Sequence, residues 1–310
     1  MKTSRRDFLK TGLALAATLS AARYTRAQAG ATPAPASGPA ARPVLAAVRD
    51  GSRTAMLERA LAELGGIGAF VQPGQSVLIK PNIGWDVAPE RGANTHPEIV
   101  GRLVVLCREA GAKSVSVFDH TCDQWQRCYA TSGIEQAVKD AGGIVVSGDD
   151  HNLYRSVAIP RGVKLQSAEV HQLVLDSDVF INVPVLKHHS GSLMTGAMKN
   201  LMGVVWDRRF YHRNDLHQCI ADFLTFKRPT LNIMDAFHPM VRNGPRGRAA
   251  EDVVPMNSLL ACTDIVAIDA AATRFLGHEP SAVRHISLAA ALGLGTMDLN
   301  AIDIRRLKLT

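Results

Sequence analysis

A chain of 310 residues with 46% hydrophobic content is ample for a buried core, in one large domain or two. The formal charge of +7 points toward a polyanionic partner, but the excess sits at the front: residues 1–29 hold six Lys/Arg and one Asp, and residues 30–310 carry 29 basic and 27 acidic residues, about +2. Nucleic-acid binding through bulk charge is excluded on that balance.

The first 29 residues have a basic start, an apolar middle from Gly12 to Leu19, and Ala27-Gln28-Ala29 as a small-x-small cleavage site. This apolar run is too short for a membrane span, so no stable span is expected after cleavage. Ser4-Arg5-Arg6-Asp7-Phe8-Leu9-Lys10 resembles the twin-arginine export signal at every defined position. That resemblance implies recognition by the twin-arginine translocase, export in the folded state, and a periplasmic location. Residues 30–43, rich in Ala, Pro, Gly and Ser, read as a disordered leader. The domain then runs from 44 to 310.

Downstream, short apolar runs alternate with amphipathic segments. Residues 76–80, 114–118, 143–146, 179–185 and 229–234 read as strands. Residues 97–111 read as a helix with Pro97 in its first turn and Gly111 as its stop. A second helix is expected over 132–143 with Ser132 as cap, and two more over 264–277 and 280–295. The order predicts an α/β fold with a mainly parallel sheet flanked by helices.

In such sheets ligands bind beyond the carboxyl ends of the strands. Those ends carry Lys80 with Asn82, Asp119, Lys187-His188-His189 and Asp235. Their convergence predicts one polar pocket, with ion pairs along the sheet edge as the plain structural alternative. His96, before Pro97, is either a pocket residue or only a helix entry. His188 and His189 are adjacent and cannot both face one way on a strand, so at most one is a ligand. Residues 190–205 read as a helix on which Lys199 shares a face with Ser192, Gly196 and Gly203. A lysine among small residues suits either an anionic ligand or tight packing. The turn-rich loop 237–248 brings Asn243 and Arg246 as candidate substrate contacts.

The five cysteines are Cys107, Cys122, Cys128, Cys219 and Cys262. An odd number leaves one unpaired in an exported monomer; Cys107 and Cys262 read as buried, and a Cys122–Cys128 disulfide is open. No spacing matches a zinc or iron–sulfur ligand run.

These motifs together resemble the domain of unknown function 362 family. The carrying stretches are VLIKPN (77–82), NTHPEIV (94–100), VPVLKHHSGSLMTGAMKNLMGVV (183–205), LNIMDAFHPMVRNGP (231–245) and ACTDIVAIDAAA (261–272). The family pattern implies that His189 is the matching histidine. Some relatives carry a cysteine-rich ferredoxin-like segment, which this chain lacks, so no self-held iron–sulfur cluster is expected.

Two functions compete. As an enzyme, the protein uses Lys80, His96, Lys187, His189 and Lys199 as catalytic groups on an anionic carboxylate or phosphate, by proton transfer or hydrolysis. Asn82, Asn200, Asn243 and Arg246 bind substrate, and Asp119 and Asp235 hold a divalent metal or set the lysine charges. As a non-catalytic periplasmic protein, it captures or delivers a metal, cofactor or small anion, with iron–sulfur redox partners as company. Replacing Arg5-Arg6 by Lys-Lys is expected to leave an unprocessed precursor inside the cell on fractionation. Normal processing of that variant contradicts the export reading.

Overall fold

The computed structural model describes residues 42–310; the expected export signal and most of the expected leader lie outside the described residues. The fold is α/β, built on one large mixed sheet. Its strands are β1 (Val44–Arg49), β2 (Ser76–Pro81), β3 (Ser114–Val117), β4 (Ile144–Val145), β7 (Val179–Val183), β8 (Val185–His189), β9 (Leu193–Thr195), β10 (Leu231–Met240), β11 (Ser258–Cys262) and β12 (Asp303–Lys308). The short strands β5 (Tyr154–Ala158) and β6 (Ser167–His171) pair separately.

The spine runs β12-β1-β11-β10-β7-β2-β3-β4. The stretch from β10 through β7, β2 and β3 to β4 is parallel throughout, so these strands deliver their carboxyl ends to one edge. Only β11, between β1 and β10, runs against both neighbours on this spine.

Helices cover both faces, as a parallel sheet requires. The helices α1 (Arg53–Glu63), α2 (Pro97–Glu109), α3 (Trp125–Thr131) and α4 (Ile134–Asp140) lie along one half of the chain. Of these, α1, α2 and α4 bury Met56, Leu103 and Val138 with Val77, Ile79, Ile181 and Ile233. After the short α5 (Gln172–Asp176), α6 (Ala197–Asn200) and α7 (Arg208–Arg213) come α8 (Leu216–Leu224), α9 (Ile265–Thr273) and α10 (Arg284–Ala291). The last three bury Ile220, Val266 and Ile286 with Leu78, Phe180 and Met234 on the opposite face. Alternation along each strand therefore assigns every residue to one layer or the other.

Several elements differ from the sequence reading. The run 179–185 is two strands, because Pro184 has no N–H for the ladder and the chain changes neighbours there. β7 lies between β10 and β2, whereas β8 lies between β10 and β9. Residues 190–205 are not one helix: a tight hairpin into β9 comes first, then the four-residue α6 and a 3-10 turn over Leu201–Val204. Ser192 therefore does not share a helix face with Lys199. The helix expected over 132–143 begins at Ile134, and Ser132 closes α3 instead. The segment 280–295 is helical only over Arg284–Ala291 after a 3-10 turn. β10 continues to Met240, so the loop placed at 237–248 starts four residues later.

Candidate functional site

Lys80 is the fifth residue of β2 and has the parity of Leu78, so its side chain enters the layer that holds α6. It is 1% exposed. Its Nζ lies 2.8 Å from Asp119 Oδ1 and donates to Asn200 Oδ1 at 2.9 Å. Asp119 comes shortly after β3 and is fixed from several sides. Its Oδ2 accepts from the Ile83 amide at 2.7 Å, and its own amide donates to the buried Tyr129 hydroxyl at 2.7 Å. Burial pulls the Lys80 ammonium below its ordinary range, and the Asp119 charge opposes that pull.

Asn200 joins this pair to the rest of the site. Its side-chain amide donates to the Lys80 carbonyl at 3.2 Å and to Asn182 Oδ1 at 2.8 Å, while its Oδ1 also accepts from Asn82 Nδ2 at 3.0 Å. Asn182, on β7, donates to the Ala197 carbonyl at 2.9 Å and to Asn232 Oδ1 on β10 at 3.0 Å. Such a satisfied buried network fixes the short α6 against three strands. The second anchor is Asp269 on α9, which accepts from the Ala197 and Met198 amides at 2.6 and 3.0 Å. Burial raises its carboxyl to about 7, partly countered by those two amides.

The two glycines of TGAMKNLMG are dictated by these anchors. A Cβ at Gly196 stands 2.3 Å from Asp269 Oδ1, and one at Gly203 stands 1.9 Å from Asp119 Oδ1 and 2.7 Å from Lys80 Nζ. Only glycine lets the backbone close over both carboxylates at these distances.

Lys187, on β8, crosses the gap left where β2 ends. Its Nζ donates to Asn82 Oδ1 at 3.1 Å and to the Ala93 carbonyl. Burial chiefly, with the Lys199 and Lys80 charges adding, lowers it to about 7. Lys199, third in α6 and 9% exposed, differs: among the described residues its Nζ reaches only the Met202 sulfur, at 3.5 Å. Burial, with Arg208 and Lys80 adding, lowers it to about 8. His189 accepts from the Gly191 amide at Nδ1, 3.0 Å, which puts its ring proton on Nε2. Burial and the two lysines hold it neutral, at about 2.

These side chains line a single cavity of about 680 Å³, within the range of small-molecule sites. Lys80, Lys187, Lys199 and His189 meet there with Asn82, Asn200 and Asp119. The wall and mouth add groups the sequence reading did not single out: Trp85, His120, Trp206, Arg208 and Arg209. Trp206 stacks on His120 at 4.9 Å, and Arg208 donates to the His120 carbonyl at 2.8 Å. The only advance signal for Arg208 and Trp206 is that they come soon after TGAMKNLMG in the chain.

Other candidates lie elsewhere. Asp235 has the parity of Ile233, not of Met234 and Ala236, and so faces the other layer. There it accepts from the His96 amide at 3.0 Å and the Phe237 amide at 3.1 Å, tying β10 to the start of α2. His96 is the N-cap of α2, and burial with the Arg53 charge takes it to about 4. Neither borders the cavity, and Asp235 lies in the layer opposite to the one that holds Asp119 and Lys80. No group of three or more His, Cys, Asp or Glu able to hold a metal occurs among the described residues. Asn243 donates to Asp252 Oδ1 at 2.6 Å, within a knot in which Asp252 also accepts from the Arg248 and Ala249 amides. Arg246 is half-exposed, 3.6 Å from Asp123. From that loop Pro245 alone lines the cavity. His188 turns away from it and accepts from the Gly244 amide at 3.1 Å. All five cysteines are free; Cys122 is exposed and borders the cavity.

Fold and site thus define an α/β protein with a lysine-rich pocket at the carboxyl edge of its sheet. The chain belongs to the family described as a domain of unknown function, DUF362, whose pattern matches residues 77–274. It is 28% identical over 263 residues to the thylakoid-associated protein sll1697 of Synechocystis, spanning 79% of this chain and 76% of that one. Among solved structures, the lactate racemase apoprotein of Thermoanaerobacterium thermosaccharolyticum is similar at 10% identity and a TM-score of 0.48, over 76% of this chain and 57% of that one. A protein of Thermotoga maritima is similar at 10% identity and a TM-score of 0.39, over 77% of this chain and 59% of that one. No helix among the described residues is long and apolar enough to cross a membrane.

The charge arrangement has a consequence for stability. Lys199 has its ordinary value of 10.5 in the unfolded chain and about 8 in the fold. Between those values the unfolded chain binds more protons, so the contribution of Lys199 to stability becomes less unfavourable as pH rises through that window. Below pH 8 the full cost of a buried, poorly paired ammonium is present. Lys199→Met, similar in volume, is therefore expected to raise the melting temperature by several degrees at pH 7. That gain should fade as pH rises from 8 toward 10.5. A melting temperature that falls, or a gain indifferent to pH, contradicts this reading of Lys199.

Proposed function

We propose that this protein binds a small carboxylate or phosphate anion in the lysine pocket and moves a proton on it. The observation that carries the reading is Lys199: an amine 9% exposed, facing a cavity with two other lysines, and partnered only by a thioether. Lys80 and Lys187 each donate to oxygen acceptors, which fixes both amines at the cavity wall and suits them to hold an anion by donation. Lys199 has no such acceptor and a lowered proton affinity, so near neutral pH it can take up or release a proton. His189 offers a neutral ring N–H beside it as a hydrogen-bond donor to the developing charge. Hydrolysis is less well served, because both carboxylates lining the pocket are already engaged, Asp119 with Lys80 and the Ile83 amide and Asp207 with Arg213 and the Phe210 amide. The likeness of residues 4–10 to an export signal supports a periplasmic setting for this chemistry, as part of the same proposal.

The test combines binding and turnover on the mature chain. A panel of small carboxylates and phosphate is screened by thermal shift at pH 7, and each binder is incubated with the protein in D₂O. The reading expects a carboxylate that raises the melting temperature and exchanges its α-proton for deuterium, faster as pH rises and Lys199 loses its proton. Lys199→Met should bind the anion and lose the exchange. Binding with no exchange by any member of the panel overturns the catalytic reading in favour of a capture or delivery protein; no binding at all overturns the anion pocket itself.

A further inference from the structure

We infer that the substrates of this pocket include 2-oxo acids, and that the Lys199 amine joins their carbonyl carbon as an imine. The inference rests on the anion-pocket reading and narrows it to a substrate class and a bond.

The three lysines differ in what holds them, and that difference assigns their work. Lys80 is locked between Asp119 and Asn200, and Lys187 between Asn82 and the Ala93 carbonyl. Both are donors with their protons directed to oxygen. The chain Lys187–Asn82–Asn200–Lys80 is continuous in hydrogen bonds, so the two amines form one fixed floor of hydrogen-bond donors. Lys199 is the residue directly before Asn200, and its amine borders the same cavity without an oxygen acceptor. A lysine desolvated beside other cations is the recurrent form of an amine nucleophile. Its affinity for a proton falls for those two reasons here, burial first and then Arg208 and Lys80.

An amine next to a carboxylate-binding floor selects a ligand whose carbonyl is adjacent to its carboxylate. The nitrogen lone pair adds to the carbonyl carbon, the proton that the attacking nitrogen then sheds passes to the carbonyl oxygen, and the His189 Nε2–H steadies that oxygen by a hydrogen bond as its charge develops. The carbinolamine then loses its hydroxyl with a proton as water, and the C=N bond forms. One amine and one ketone give one imine and one water, with no oxidant or reductant. The protonated imine withdraws electrons from the neighbouring C3, so on a 2-oxo acid the proton made labile is the one on C3. Phosphate, lacking a carbonyl, can occupy the floor without reacting.

Reductive trapping tests this directly. The mature protein is incubated at about pH 7 to 8 with pyruvate and cyanoborohydride, then digested and mapped by mass spectrometry, a range in which the Lys199 amine is partly unprotonated. A single reduced adduct on the peptide carrying Lys199 is expected. Propionate, with a carboxylate and no carbonyl, should compete it away; acetone, with a carbonyl and no carboxylate, should label at least tenfold less. Lys199→Met should abolish the adduct, and Lys187→Met should weaken it by loss of anion binding while keeping its position. A thermal shift with pyruvate and propionate but no adduct at Lys199 overturns the imine and leaves the anion pocket standing. Labelling spread over surface lysines, equal with acetone, also overturns it. Absence of both shift and adduct removes the anion pocket as well.

Discussion

Lys80 and Asp119 meet at 2.8 Å beneath the backbone of Gly203, both nearly out of contact with water. Breaking such a pair by removing one partner is costly, because the other is left buried and uncompensated. Much else is arranged around it. The Ile83 amide and Tyr129 hydroxyl hold the aspartate, Asn200 holds the lysine, and glycine at 203 is dictated by the space between them. Asn200 in turn extends the arrangement to Asn182 and Asn232 on two further strands. Lys187 and Lys199 add amines that Asp119 does not pair with directly, and the proposal of an anionic ligand rests on that imbalance.

The parallel sheet and its loaded carboxyl edge were legible in the sequence, because apolar runs that each stop at a charged residue, at Lys80, Asp119 and Lys187, are the mark of buried strands opening onto one polar edge. What misled was treating a strand end as a direction. Asp235 ends an apolar run just as Asp119 does, yet Met234 and Ala236 already assign it by alternation to the other layer, with His96. Pro184 likewise signals that 179–185 cannot remain one ladder, and the hairpin into β9 is the reason Ser192 is nowhere near a helix. Asn243 and Arg246 had the right residue types for ligand contact, but Asp252, ten residues past Arg242, gathers that loop around itself. No local pattern announces a partner of that kind.

Other parts of the motif set became intelligible only through distance. The two aspartates in DIVAID have separate tasks: Asp264 caps α9, accepting from the Val266 and Ala267 amides, while Asp269 reaches the start of α6. Gly196 and Gly203, seven apart, read as one small face of a helix, but each makes room for a different carboxylate. The outcome is a four-residue helix with almost no intrinsic stability, held by Asp269 at one end and the asparagine network at the other. Rigid support of that sort keeps Lys199 in a cavity where a flexible side chain would otherwise turn to solvent.

The central claim is that Lys199 presents an amine able to lose its proton near physiological pH inside an anion-binding cavity. Trace acetylation of the protein across pH, with lysine peptides quantified by mass spectrometry, measures each amine's titration separately. The account predicts that Lys199 reacts with a midpoint near 8, well below the ordinary lysine value of 10.5, and that phosphate raises that midpoint and slows the reaction. A Lys199 that titrates near 10.5, indifferent to phosphate, contradicts it.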